Sequence, residues 1–302
     1  MSWLQDLQHL FGVQDAKQLL LIGMVPVFGL VTIWEMFRFG RTPVYDVRDS
    51  LASVALGGSY LLVEAGFYAL FVFSLGAWVY EHRLFTIPIN GWTFAALFVL
   101  GDLCFYVNHR TCHRVRYFWC THVVHHASEH MNFTTASRQS TLSAISGVWI
   151  FYLPLIWLGF DAMWVFFALS LNLAYQYFLH TQWVRRLPAP IEFIFNTPSH
   201  HRAHHGRNPR YIDRNYGGTF IVFDRLFGTF VPESEEEPPE YGIVRQVHSY
   251  NPVVLTLHEW IAMARDIARP GPLWQRLKHL WKPPEWEREL RPAAEQRTEA
   301  AA

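Results

Sequence analysis

Net charge is absent from this chain. Its 25 Lys and Arg offset 25 Asp and Glu, and charged residues make up only 17% of 302 positions. That balance leaves no electrostatic footprint for nucleic acid, so no nucleic-acid partner is expected. Cysteine is scarce too. Cys104, Cys112 and Cys120 cannot build a disulfide framework, and their eight-residue spacing fits no usual zinc-finger pattern, so free thiols on or near helices are expected. There is no HExxH sequence of a zinc hydrolase and no paired-carboxylate motif of the soluble di-iron bundles. An HPGG-type haem motif and internal repeats are also missing.

What the chain has instead is apolar sequence, 51% of the residues, gathered into runs. Residues 19–37 are nearly uncharged until Glu35, and residues 51–80 are interrupted only by Glu64. Residues 91–107, 142–159 and 162–179 follow. Each is about as long as the roughly 20 residues a bilayer-spanning helix needs. Gly57, Gly58 and Pro154 are compatible with such helices. The expectation is an all-α integral membrane protein with four to six transmembrane helices, five being the preferred count. The first sixteen residues, MSWLQDLQHLFGVQDA, have no basic start and contain acids, so no cleavable signal peptide is expected.

Loop charge gives the orientation. Arg38, Arg41 and Arg48 lie between the first two runs, and Arg110, Arg114, Arg116 and Arg138 between the third and fourth. Arg185, Arg186, Arg202, Arg207, Arg210 and Arg214 follow the fifth. With five spans these share one side, which the positive-inside rule makes cytoplasmic. Residues 1–94 then read as N-terminal membrane helices and 95–232 as a catalytic domain. Residues 233–302 read as a cytosolic segment, with a solvated acidic loop (PESEEEPPE, 232–240), an amphipathic helix near 258–269 on the membrane surface, and a frayed tail from Lys282.

Histidine is concentrated where the chain leaves the third and fifth runs. HRTCH (109–113), HVVHH (122–126) and HRAHH (201–205) place imidazoles at i, i+3 and i+4, spacings that share a helix face. The eight are His109, His113, His122, His125, His126, His201, His204 and His205. They exceed the four ligands of one tetrahedral zinc site and suit two metal ions. His180, at the end of the fifth run, is a ninth candidate. Asp102, two helical turns before His109, could orient a ligand imidazole through its second nitrogen or bond a neighbouring helix. Gln176, one turn before His180, and His130 and His200, beside the motifs, are further candidates for the surroundings of the site.

Imidazole ligands suit iron, zinc, copper and nickel. Without thiolates, a nitrogen-rich dinuclear site against a membrane fits iron-based oxygen activation on a lipid that arrives from the bilayer. A metal transporter is a competing reading, but it would place its ligands at the bilayer midplane on broken helices. A zinc-dependent membrane hydrolase is another, and the missing HExxH speaks against it.

At this point the three-part histidine pattern resembles the fatty acid hydroxylase / sterol desaturase superfamily of membrane-bound di-iron enzymes, over about residues 95–232. Within it the chain looks most like the monooxygenases that cleave alkylglycerol ether lipids. HHASEHMNFTTASRQS (125–140), YQYFLHT (175–181), FNTPSHHRAHHGRNP (195–209) and DRNYGGTFIVFDRLFGTF (213–230) carry that closer likeness. The resemblance implies a cytosolic helical cap in which the eight motif histidines hold two non-haem irons, with His180 as a further family histidine. It places Glu129 in an HHxSE stretch that shapes the site, and it makes NYGG (215–218) a tight bend where glycine supplies unusual backbone angles. It implies O2 as cosubstrate and a lipid substrate, with sterol or fatty-acyl hydroxylation or desaturation as the alternative outcome. The electron source is a separate partner or a diffusible reductant, tetrahydrobiopterin being the one the resemblance suggests.

Overall fold

The computed structural model describes residues 16–287, and among these it contains helices and no strands, only two isolated bridges, Phe195–Phe220 and Gly206–Tyr241. The first half is α1 (Ala16–Phe39), α2 (Val47–Phe67), a π-helical turn at Tyr68–Val72, α3 (Phe73–Glu81), α4 (Gly91–Arg114) and α5 (Arg116–His126). Short helices follow: α6 (Phe133–Ala136), α7 (Ser143–Ser146) and α8 (Leu153–Leu158). Then come α9 (Ala162–Tyr177), α10 (Ala189–Ile194), α11 (Pro198–His204), α12 (Val222–Leu226), α13 (Pro252–Ala268) and α14 (Leu273–Leu277).

Among the described residues, three helical stretches are long and apolar enough to cross a membrane: Leu20–Phe39, Val47–Leu70 and Gly91–Arg114. At about 1.5 Å per residue they measure roughly 30–36 Å, against a hydrocarbon core of about 30 Å. The two later apolar runs form shorter or broken helices. The fourth run is not one helix. Gly147 takes a left-handed conformation (φ 87°) after α7, a 3-10 turn spans Val148–Tyr152, and α8 ends at Gly159 with φ 132°. The fifth run starts at the Asp161 cap and keeps only 16 residues of helix, about 24 Å long. These broken segments pack on α3 and α4 around a core of Leu97, Tyr152, Ile156, Phe160 and Val165.

Polar residues fix where the long helices begin and how they dock. Asn90 accepts from the Trp92 and Thr93 amides while Thr93 Oγ1 accepts from Asn90 N, a reciprocal cap that starts α4. Val115, extended at φ −121° and ψ 112°, breaks the helix for one residue and reorients α5 against α4. In α1 the buried Glu35 accepts from Tyr45 Oη (2.6 Å), Phe133 N (2.9 Å) and Thr181 Oγ1, tying that helix to α6 and to the residue after His180. Arg138, 1% exposed, gives Nη1 to Asp49 of α2 at 2.8 Å and Nε to Val124 O of α5 at 3.0 Å.

The C-terminal segment is more firmly attached than its composition suggests. α13 begins at Pro252, earlier than the expected start, because Asn251 Oδ1 caps Val253 N at 2.9 Å. It buries Leu255 and Met263 against α5 and leaves Val253, Val254, Leu257 and Ile261 outward. Arg116 of α5, 4% exposed, bonds Glu259 at 2.7 Å and Asp266 at 2.8 Å, and its amide bonds Lys282 O at 3.1 Å. The tail expected to fray from Lys282 is therefore held up to Glu287, which pairs with Arg245 at 2.9 Å; residues 288–302, like the first fifteen, lie outside the described part. The acidic loop is anchored as well, since Glu233 receives Arg202 on both oxygens at 2.8 and 2.7 Å.

Candidate metal centre

Nine imidazoles converge between α4, α5, α11 and the end of α9. They form two groups whose ligand atoms lie within 4.8 Å of one another: His109, His113, His122, His126 and His204, then His125, His180, His201 and His205. Helical spacing explains the sorting. In HVVHH the i, i+4 pair His122 and His126 enters the first group, and His125, at i+3, faces the second. In HRAHH the i, i+4 pair His201 and His205 enters the second, and His204 faces the first. The second and third motifs are thus shared crosswise between the two groups.

Main-chain carbonyls fix the ring orientations. His109 Nδ1 donates to Tyr216 O (2.8 Å), His204 Nδ1 to Arg214 O (2.8 Å), His125 Nδ1 to Arg138 O (3.2 Å) and His180 Nδ1 to Gln176 O (2.9 Å). A carbonyl only accepts, so each of these rings carries its proton on Nδ1 and a bare lone pair on Nε2. His125 Nε2 and His180 Nε2 are nevertheless 3.1 Å apart. Two lone pairs at that distance repel, and no proton lies between them to bond them.

Nε2 atoms also meet at His109 with His122 (2.9 Å), His122 with His126 (3.1 Å), His180 with His201 (2.9 Å) and His201 with His205 (3.2 Å), where at least one ring of each pair has no carbonyl to fix its proton and a single shared N–H can bridge the two. His113 Nε2 and His204 Nε2 are buried without a partner. Nitrogens bound at right angles to one ion, each about 2.1 Å from it, would lie about 3 Å apart. A cation in each group resolves the repulsion and partners the bare nitrogens, so the residues fit a dinuclear nitrogen-ligated centre.

Burial first, and then the neighbouring rings, hold His122, His125, His126, His201 and His205 well below the ordinary imidazole range. Burial pushes His180 down to about 4 and His204 to about 3. Neutral rings are what a metal requires of imidazole ligands.

The residues expected around the site fall differently. Asp102 does not orient a histidine. Its oxygens accept from Thr219 N (2.7 Å), Phe220 N (2.9 Å) and Asn172 Nδ2. It secures the loop that carries Tyr216, one step behind His109. Gln176 serves His180 through its carbonyl, not its side chain, which reaches Asn172 at 2.5 Å. Glu129 is 48% exposed and lies 3.7 Å from Arg207, away from the rings. His130 donates outward to Pro43 O at 3.0 Å, on the α1–α2 connection. His200, on the far face of α11, is 3.0 Å from Glu192. Burial raises the Glu192 carboxyl, but His200, the Leu187 amide and Thr197 together hold it down to about 2.

The group that sequence reasoning missed is the loop 213–219 and what grips it. Arg214 and Tyr216 supply two of the four ring-orienting carbonyls, and Asp213 approaches His113 Nδ1 at 3.6 Å while pairing with Arg114. Asp224, fully buried, accepts from Tyr216 N (2.8 Å), Gly217 N (2.7 Å) and Thr229 Oγ1 (2.6 Å). The left-handed residues here are Asp213 (φ 60°) and Asn215 (φ 55°), not the glycines, which corrects the reading of NYGG. Gly217 and Gly218 are needed for close approach instead. A Cβ on Gly217 would come 2.5 Å from Phe220 O, and one on Gly218 would come 2.5 Å from Asp102 Oδ1. The run of polar residues in DRNYGG was the visible signal, since Asp and Asn tolerate left-handed backbone.

Comparison with known proteins follows this geometry. Residues 94–229 match the fatty acid hydroxylase family. The chain is similar to human alkylglycerol monooxygenase, 36% identical over 249 residues, which is 81% of this chain and 54% of that protein. It is 38% identical over 264 residues to the alkylglycerol monooxygenase of Danio rerio, 85% of this chain and 57% of the relative. A more distant likeness, 27% over 149 residues, is to an ornithine lipid hydroxylase of Rhizobium tropici, covering 49% and 45% of the two chains. The chain thus spans about half the length of these curated relatives. No solved structure matches it.

Proposed function

Because residues 94–229 match the fatty acid hydroxylase family, we propose that the chain is a membrane-bound di-iron monooxygenase whose substrate is an alkylglycerol ether lipid. The observation that carries this reading is the pair of imidazole groups, five and four, with unprotonated Nε2 atoms facing one another. His109, His113, His122, His126 and His204 would hold one iron, and His125, His180, His201 and His205 the other. Bound there, the irons would supply the activation of O2 for insertion of one oxygen atom into a C–H bond.

The chain's own part is to hold those nitrogens free. The carbonyls of Tyr216, Arg214, Arg138 and Gln176 keep the ring protons on Nδ1. Burial keeps the rings neutral, and the Trp119 ring packs beside them, 5.3 Å from His113 and 5.8 Å from His126. The net change is RCH2–O–R′ + O2 + 2e⁻ + 2H⁺ giving RCH(OH)–O–R′ + H2O. The hemiacetal then separates into a fatty aldehyde and the alcohol R′OH. In the bilayer the long helices present outward apolar residues such as Leu30, Leu62 and Val99, and the arginine-rich connections orient the centre to the cytoplasmic side. A diffusible reductant such as tetrahydrobiopterin, or a separate electron-transfer partner, supplies the electrons.

The likeness to an ornithine lipid hydroxylase favours one second reading, hydroxylation of an acyl or other lipid C–H bond with a stable alcohol as product. Metal analysis of the detergent-purified chain, with O2-dependent turnover of an alkylglycerol, separates these. About two irons per chain and a fatty aldehyde product are expected. Iron with a retained hydroxyl product points to the second reading. Stoichiometric zinc, or no metal after anaerobic preparation, overturns the oxygenase.

A further inference from the structure

α13 is apolar on the side it turns outward. Leu255 and Met263 pack inward, and Glu259 and Asp266 reach Arg116 on one flank. The face left outward carries Val253, Leu257, Ile261, Ala264 and Ala268, three or four residues apart, with Val254 beside them. The four large side chains among these are 37–63% exposed. The stripe is about 23 Å long at about 1.5 Å per residue. A surface helix of a water-soluble domain carries polar residues on that side.

The residues after α13 extend this surface. Leu273 and Trp274 are each 63% exposed, Trp281 is 38% exposed, and the two indoles lie 4.9 Å apart. This segment is fastened to the fold. Arg276 Nε donates to Ile267 O at 2.6 Å, and His279, buried on the 3-10 turn Lys278–Leu280, lies 3.2 Å from Arg116. Its charge has one sign: residues 267–284 contain Arg269, Arg276, Lys278 and Lys282 and no acidic side chain. Exposed tryptophans and cations beside an apolar helical face suit the boundary between acyl chains and headgroups.

Position favours a bilayer over a protein partner. Leu255 shares a core with Ala52 and Leu56 of α2. Leu51 and Val54, their neighbours on α2, are 65% and 57% exposed and belong to a stretch of spanning length. The start of α13 therefore rests against the first turns of a spanning helix, on the side of the arginine-rich connections.

We infer that α13 and residues 269–282 form a dock that lies in the plane of the bilayer and binds anionic phospholipid, with the stripe among acyl chains and the cations at the headgroups. This rests on the membrane-bound part of the proposed function and on none of its oxygen chemistry. Through Arg116 the dock is tied to α5, so the helix that carries HVVHH is held to the leaflet surface.

The test uses the full iron-loaded chain in nanodiscs of phosphatidylcholine, alone or mixed with phosphatidylserine. A bimane label is placed on Ile261→Cys or Leu273→Cys. Leu62→Cys of α2, where the parent residue is 79% exposed, is the hydrocarbon reference, and Glu236→Cys is the aqueous one. The parent chain, treated identically, gives the blank for its own three cysteines. Brominated acyl chains are expected to quench the labels at 261 and 273, and iodide to reach them about tenfold less than the label at 236, as for side chains at the headgroup and acyl boundary. Phosphatidylserine is expected to increase the lipid quenching. Lys278→Gln/Lys282→Gln is expected to remove most of that increase, since each lysine strengthens docking about fivefold near an anionic surface. Iodide quenching of both labels as strong as at position 236 overturns the inference. Labels that neither quencher reaches also overturn it and assign the face to protein, a second copy if the chain is dimeric in the disc. Lipid quenching indifferent to phosphatidylserine and to the lysine variants overturns the assignment to anionic lipid. A label at position 62 open to iodide overturns the membrane-bound reading itself, whatever the other labels show.

Discussion

Replacing Asp224 with Asn tests whether the loop behind the metal site is a structural part of it. The carboxylate accepts three hydrogen bonds, from Tyr216 N and Thr229 Oγ1 on one oxygen and from Gly217 N on the other. Burial raises the pKa of this group, while the three hydrogen bonds favour its ionised form. Asn has one oxygen and one NH2. In its better orientation it keeps the Tyr216 and Thr229 bonds and sets NH2 against the Gly217 N–H, leaving a buried amide without an acceptor. An unmet buried donor costs about 1–3 kcal/mol, and lost charge assistance on the other bonds adds to it, for a total of roughly 2–4 kcal/mol. By the size scaling of soluble proteins, that lowers the melting temperature by roughly 5–10 °C.

A second consequence falls on the metal. Tyr216 O and Arg214 O hold His109 and His204, so loosening this loop frees two rings of the five-membered group. Loss of such supports commonly weakens metal binding about 10–100-fold. The assay is thermal unfolding in detergent, paired with the rate of iron loss to an external chelator. Thr229→Val is the control: it removes one donor and leaves both loop amides satisfied. An Asp224→Asn chain that melts and loses iron like the parent would refute the account of this loop.

His126→Ala and His204→Ala, one from each crosswise-shared motif, are expected to abolish turnover and lower iron content while membrane extraction behaviour stays normal; turnover in both at parental rates would sink the ligand assignment. Arg138→Met leaves Asp49 buried without its partner, and breaking a buried pair in this way costs about 3–5 kcal/mol. Denaturant unfolding should show that loss, and the double variant Arg138→Met/Asp49→Leu should recover part of it. Glu192, held near 2 in the fold, contributes stability that is present above its ordinary pKa of 4.5 and lost as pH falls from there toward 2. The gap in melting temperature between the parent and Glu192→Gln should therefore be widest above pH 5, narrow as pH falls below 4.5 and close only toward pH 2; a gap independent of pH contradicts this.

The histidines were legible because their chemistry and helical spacing are both written in local sequence. Eight come from i, i+3 and i+4 motifs, and His180 from its place at the end of an apolar run. The sorting into five and four was not foreseen, although it follows from the same periodicity once α5 and α11 are seen to lie between the two groups. The breaks in the fourth run were hidden because hydropathy alone does not register Gly147 or Gly159 at positive φ, which divide and end it. The surroundings of the site were the least readable. Asp102 looked like a partner for a histidine two turns away on its own helix, yet its bonds go to residues 70 to 118 positions later. Arg138 was invisible for the same reason, since Asp49 lies 89 positions before it, whereas Asp224 was missed because its local partners are backbone amides of a loop that carries no sequence motif for such a grip.

The crosswise sharing of HVVHH and HRAHH makes the two ion positions interdependent. Turning α5 about its axis to favour His122 and His126 also moves His125, and α11 links His204 to His201 and His205 in the same way. Whichever position fills first fixes the rotation of both helices and prepays the ordering that the other position needs. Linkage makes that benefit mutual. Loading should accordingly be cooperative, with chains holding a single ion scarce at every metal concentration.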